Sequence, residues 1–113
     1  MSTIYVLLYT NKWYILWLMS NWQIWFTSGA EKQLRKLPQK IRDSANALRY
    51  EIELLGPIRF GWKNFGKLGG EENKYHCHLN SGRPTYVICW KVVDKKLKII
   101  EVYYAGTHEK APY

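Results

Sequence analysis

The sequence predicts an α+β domain in the order β-α-α-β-β-β: an antiparallel sheet with a two-helix hairpin packed on one face. Three observations carry this expectation. Ile41, Ala45, Leu48, Ile52 and Leu55 recur at helical spacing, so one long helix has a single apolar stripe to bury. Three later stretches, 74–80, 85–93 and 97–104, are rich in β-branched and aromatic residues and are joined by connections of hairpin length. A similar stretch, 22–27, precedes the helical region. Helices that come before an antiparallel meander cover one face of it and leave the other at least partly open.

Size and composition fit one domain. The chain has 113 residues, 47% of them hydrophobic and 16% aromatic, which is ample for a single core. Its net charge of +8 favours a nucleic acid, an anionic membrane or an acidic protein as partner, without choosing among them. Cys77 and Cys89 belong to no CxxC motif and read as buried free thiols of a cytoplasmic protein. Residues 1–18 hold two short apolar runs broken at Thr10-Asn11-Lys12. Neither run approaches the roughly 20 residues that span a bilayer. No basic region precedes them and no small-residue cleavage site follows, so they do not read as a secretory signal. This apolar N-terminal extension fits an over-called start, with Met19 the initiator and 19–113 the single domain. An added hairpin or a membrane-surface anchor fits it less well, and no membrane partner is expected.

The elements follow in order. Trp22–Thr27 reads as the first strand. Ser28-Gly-Ala-Glu31 has the spacing of a capping box, with Ser28 as the cap. The helix after it puts Ala30, Leu34 and Leu37 on one face and leaves Lys32, Arg35 and Lys36 largely off it. Pro38 stops that helix and suits the first turn of the next. Gly56-Pro57 ends the second helix. Residues 58–73 read as a loop, with Trp62 and Phe65 as its anchors.

The stretch Lys74-Tyr-His-Cys-His-Leu79 alternates strictly. In a strand, Tyr75, Cys77 and Leu79 face the core while Lys74, His76 and His78 face the other way. The chain then closes with His108, Lys110 and Tyr113. Two histidines and a lysine on one strand face of a basic protein suggest chemistry on a polyanion. The same histidine pair is also compatible with plain surface. A zinc site from His76, Cys77 and His78 is disfavoured, because Cys77 faces away and there is no second ligand cluster.

The order of elements, with Ala30-Glu-Lys-Gln-Leu-Arg-Lys-Leu-Pro38, Lys67-Leu-Gly69, Tyr75-His-Cys-His-Leu79, Arg83-Pro-Thr-Tyr-Val87, Val92-Val-Asp-Lys95 and Tyr104-Ala-Gly-Thr-His-Glu-Lys110, resembles the RelE/ParE toxin superfamily of toxin–antitoxin systems. The resemblance covers about residues 20–113, and no single motif in it is diagnostic. It implies a type II toxin. RelE-like members are ribosome-dependent mRNA endonucleases that inhibit translation; ParE-like members are non-catalytic inhibitors of DNA gyrase. The RelE-like branch is favoured here, with a gyrase inhibitor and an inactive, antitoxin-binding homologue as alternatives. The shared fold cannot decide among them.

The nuclease reading implies attack by the substrate's own 2′-hydroxyl, a metal-independent reaction that needs no cofactor. It requires groups titrating near neutrality and fixed cations. Histidine supplies the first and lysine or arginine the second. By the resemblance, His76, His78, His108 and Tyr113 are the catalytic candidates. Lys74, Arg83, Lys67 and Lys110 are candidate RNA and phosphate contacts. A catalytic arginine of the family falls on Val87 here, and Arg83 is the substitute by strand parity. The implied partners are a cognate acidic antitoxin, bound as a hetero-oligomer, together with the ribosome and its mRNA.

Overall fold

Strand β1 spans Gln23–Phe26, inside the stretch expected for it. The structure is a computed structural model that describes residues 21–70 and 72–113; the extension 1–18 and the boundary at Met19 lie outside the described residues. Helix α1 (Ser28–Arg35) begins one residue earlier than the capping box implies. Thr27 holds the extended backbone of a cap, and its Oγ1 accepts the Ala30 N–H at 3.0 Å. Ser28 is already helical, and the Glu31 carboxylate pairs forward with Arg35 at 3.1 Å.

Helix α2 (Gln39–Leu55) starts at Pro38, whose carbonyl accepts the Ile41 and Arg42 N–H groups. Ile41, Ala45, Leu48 and Ile52 are buried as the stripe requires, but Leu55 is 65% exposed. The buried stripe therefore stops at Ile52, and Gly56, at φ 94°, turns the chain out of the helix.

The remaining strands are β2 (Gly66–Lys67), β3 (Lys74–His78), β4 (Tyr86–Asp94) and β5 (Ile99–Thr107). They form one five-stranded sheet in the order β1-β5-β4-β3-β2. The meander β2–β5 is antiparallel, as expected. β1 joins it in parallel, with Gln23 opposite Ile99, which makes the sheet mixed. β2 arises within the expected loop, and β5 runs later than 97–104. The β4–β5 turn holds the chain back: the Leu97 N–H bonds Asp94 Oδ1 at 2.8 Å, and Lys98 adopts φ 56°.

Both helices pack on one face. Their buried stripes meet Tyr75, Cys77, Leu79, Ile88, Trp90, Ile100, Val102 and Ala105 from the sheet. Trp62 and Phe65 pack against this core. Phe65 stacks on Tyr75 and on Trp90, with ring centroids 5.7 and 5.9 Å apart. Trp90 is fully buried and donates its indole N–H to the Pro57 carbonyl at 3.2 Å. That bond pins the loop after α2 against the sheet behind β3.

Among the described residues, the opposite face carries a small apolar cluster of Leu68, Val87, Cys89 and Tyr104, with Tyr103 and Ala111 packed on it. Cys77 and Cys89 thus lie in the two different clusters, with the sheet between them, and both are free thiols. Burial pushes each up to about 12, so neither is a ready nucleophile.

Candidate functional site

Register builds the site. His76 lies opposite Cys89 and His78 opposite Val87. Directly opposed residues share a face of the sheet. Both histidines therefore stand on the face away from the helices, above the buried Val87 and Cys89. Val87 also lies opposite Gly106 on β5. Beyond β5, the His108 N–H bonds the Thr85 carbonyl at 2.8 Å, which continues the pairing and fixes His108 beside β4. A single 3-10 turn, His108–Lys110, then reverses the chain. Ala111 lands on the small apolar cluster, and Tyr113 reaches His76.

The four catalytic candidates come together on this face. Ring centroids are 4.8 Å apart for His76 and Tyr113, and 5.4 Å for His78 and His108. They are 6.1 Å apart for His108 and Tyr113, and 6.5 Å for His76 and His78. Tyr113 Oη lies 3.4 Å from His76 Nδ1.

Electrostatics favour neutral rings. Burial, then the neighbouring charges of His78 and His108, lower the pKa of His76 below its usual value. Burial, then His108 and Lys63, do the same to His78. Each of these two rings resists protonation while its neighbours are charged, so both keep a basic nitrogen at neutral pH. Tyr113 is pushed up to about 12, chiefly by burial and then by the ionisable neighbours Cys89 and Tyr104. It keeps its proton at neutral pH, and its Oη can accept the N–H of His76 Nδ1, which leaves Nε2 as the basic nitrogen of that ring.

The candidate phosphate contacts divide. Arg83 is exposed in the β3–β4 loop and lines a cleft of about 320 Å³ with Pro84, Thr85, Thr107, His108 and Glu109. Lys74 stands on the histidine face, two residues before His76 and opposite Lys91. Lys67 does not join them: it lies opposite Tyr75, whose side faces the helices. Lys110 lines a separate groove beside α1, with Gln33 and Lys36.

The sequence reading missed Lys63. Its carbonyl accepts the His78 N–H at 2.8 Å, and its charge acts on the His78 ring. The available signal was a basic residue between the two aromatic anchors Trp62 and Phe65. Val87 is fully buried and lies opposite His78, so it forms part of the floor of this face. Among the described residues, no group of three or more His, Cys, Asp or Glu is placed to hold a metal ion. No helix among them is long and apolar enough to cross a membrane.

No protein-family model matches the sequence, and no curated protein matches it. Solved structures do. A mutant of the E. coli toxin RelE in the free state superposes with a TM-score of 0.64 at 24% identity, covering 80% of this chain and 87% of that one. The intact E. coli RelBE toxin–antitoxin complex gives 0.60 at 24% identity, over 79% and 99% of the two chains. The YoeB dimer from Staphylococcus aureus gives 0.61 at 18% identity, over 78% and 98%. The chain has the α+β fold of these RelE-like structures.

Proposed function

We propose that the chain is the toxin of a toxin–antitoxin pair and cleaves mRNA on the ribosome by 2′-hydroxyl attack. The observation that carries this is the convergence of His76, His78, His108 and Tyr113 on the sheet face that the helices leave uncovered. Scattered surface histidines would not bring in the chain terminus to complete a ring cluster.

The chemistry balances on these groups. His76, held neutral, takes the proton of the 2′-hydroxyl. The freed oxygen bonds the adjacent phosphorus. The bond from phosphorus to the 5′ oxygen breaks, and His108, as the general acid, supplies that oxygen with a proton. The products are a 2′,3′-cyclic phosphate and a 5′-hydroxyl. Lys63 and Arg83 flank the histidines and supply positive charge to the phosphorane between these states. Tyr113 orients His76 through Nδ1. General acid–base catalysis of this kind contributes about 10²–10⁴-fold.

The RelBE complex among the similar folds, and the net charge of +8, support an acidic antitoxin as partner in a hetero-oligomer. The test is pulse labelling of protein and DNA synthesis after induction of the chain, beside His108→Ala. Translation should fail first, and the variant, shown to be folded by thermal denaturation, should be harmless. Early loss of DNA synthesis with a variant that stays toxic would favour gyrase as the target and sink the nuclease reading. A folded chain that stops neither process would be the inactive homologue.

A further inference from the structure

Next to the histidine cluster, the same face carries a second grouping that the proposed chemistry does not use. The β4–β5 register shifts between Cys89 and Trp90: Cys89 opposes Tyr104, while Trp90 opposes Val102. Tyr103 is the extra residue of this bulge. Val102 belongs to the helix-side core, whereas Tyr103 packs with Tyr104 on the open-face cluster. A regular strand would have turned one of these two adjacent tyrosines toward the helices. The bulge gives the open face both.

Two lysines flank the Tyr103 ring. Lys74 Nζ lies 5.8 Å from its centroid and Lys91 Nζ 6.0 Å from it. Lys74 and Lys91 oppose each other across β3 and β4, one step along from the His76–Cys89 pair. Two residues of strand span about 7 Å, on the scale of one extended nucleotide. Glu101, opposite Lys91, holds that ammonium at 3.5 Å and offsets part of the charge.

We infer that Tyr103, flanked by Lys74 and Lys91, is a second nucleotide subsite beside the histidine cluster, where the ring stacks the base next to the scissile one and the lysines hold its phosphate. The inference rests on the RNA-cleavage reading above. An aromatic face between cations is how single-stranded nucleic acid is held without sequence-specific hydrogen bonds.

The test is an NMR titration of the full chain with a dinucleotide and a trinucleotide, each carrying 2′-O-methyl groups so that no cleavage occurs. The wild type should bind the trinucleotide about tenfold more tightly, the gain of one stacked base. Tyr103→Ala should lose that gain and keep its dinucleotide affinity, while Tyr103→Phe should retain both. Lys91→Gln should lower the salt dependence of trinucleotide binding by about one phosphate contact. Equal affinities of the wild type for the two oligonucleotides would overturn the subsite and leave the cleavage reading standing. So would a Tyr103→Ala variant that keeps the gain, or one that weakens both ligands alike. No binding of either ligand, together with no cleavage of ribosome-bound mRNA, would overturn both.

Discussion

His76 and His78 sit two residues apart on β3, and partial burial is the first cause acting on each ring; His78 and His108 add to it at His76, and His108 and Lys63 add to it at His78. All of them oppose protonation. The folded pKa values therefore lie below the unfolded value of about 6.5. Above that pH both states leave the rings neutral, and the fold keeps the full stability associated with them. As pH falls through about 6.5, the unfolded chain takes up protons that the folded chain resists, and stability drops. Thermal denaturation at pH 7.5 and 5.5 should show a fall in Tm for the wild type and a smaller fall for His76→Asn/His78→Asn. Equal falls would remove the cluster as the cause. An RNA phosphate bound among the rings reverses the local field and should raise the same pKa values, so affinity for a non-cleavable oligonucleotide should increase toward pH 5.5. Affinity that is flat with pH would count against phosphate binding at these rings.

At the scale of elements, β5 decides whether a site exists, because its end delivers His108 and Tyr113. Gly106 is the tight point. A Cβ there would lie 2.7 Å from Tyr104 Oη and 3.0 Å from Cζ, and Tyr104 is buried with its hydroxyl bonded to the Thr107 carbonyl at 2.7 Å. The ring cannot yield without releasing Thr107, the residue before the 3-10 turn. Gly106→Ala should cost about 1–3 kcal/mol in a chemical denaturation series and lower cleavage as well. A variant as stable and active as the wild type would show that this packing is loose. Here the limits of the sequence are physical. The strict alternation in 74–79 and the stripe from Ile41 to Ile52 were legible because one buried face imposes one period. The cap on Thr27, the parallel pairing of β1 and the strand β2 were not, because they depend on which neighbour the chain meets. The bulge at Tyr103 belongs with these, since a period-2 reading assigns adjacent residues to opposite faces. The catalytic candidates His76, His78, His108 and Tyr113 were named from a resemblance in order and spacing, and their convergence needed the fold. Lys67 shows the cost of working without register: its strand lay unrecognised in a loop, so nothing assigned it to the helix-side face.

On the scale of the whole molecule, the two faces of one sheet divide the work. The helices bury one face and supply the stability. The other, among the described residues, keeps a small apolar floor, on which four titratable rings and their flanking cations stand. This division explains why Val87 is apolar: it is buried in the floor beside His78, and positive charge lies at the rim, on Lys63 and Arg83. The central claim is that this face cleaves RNA through the substrate's own 2′-hydroxyl. The most direct measurement is primer extension on mRNA bound to purified ribosomes with the full chain, comparing all-ribose mRNA with one carrying a single 2′-deoxynucleotide at the cut position. The account predicts a discrete cut in the first, ending in a 2′,3′-cyclic phosphate, no cut at that position in the second, and a cut weakened about 10²-fold or more by His76→Ala. Cleavage that persists at the deoxynucleotide, or that is unchanged in a folded His76→Ala variant, would contradict it.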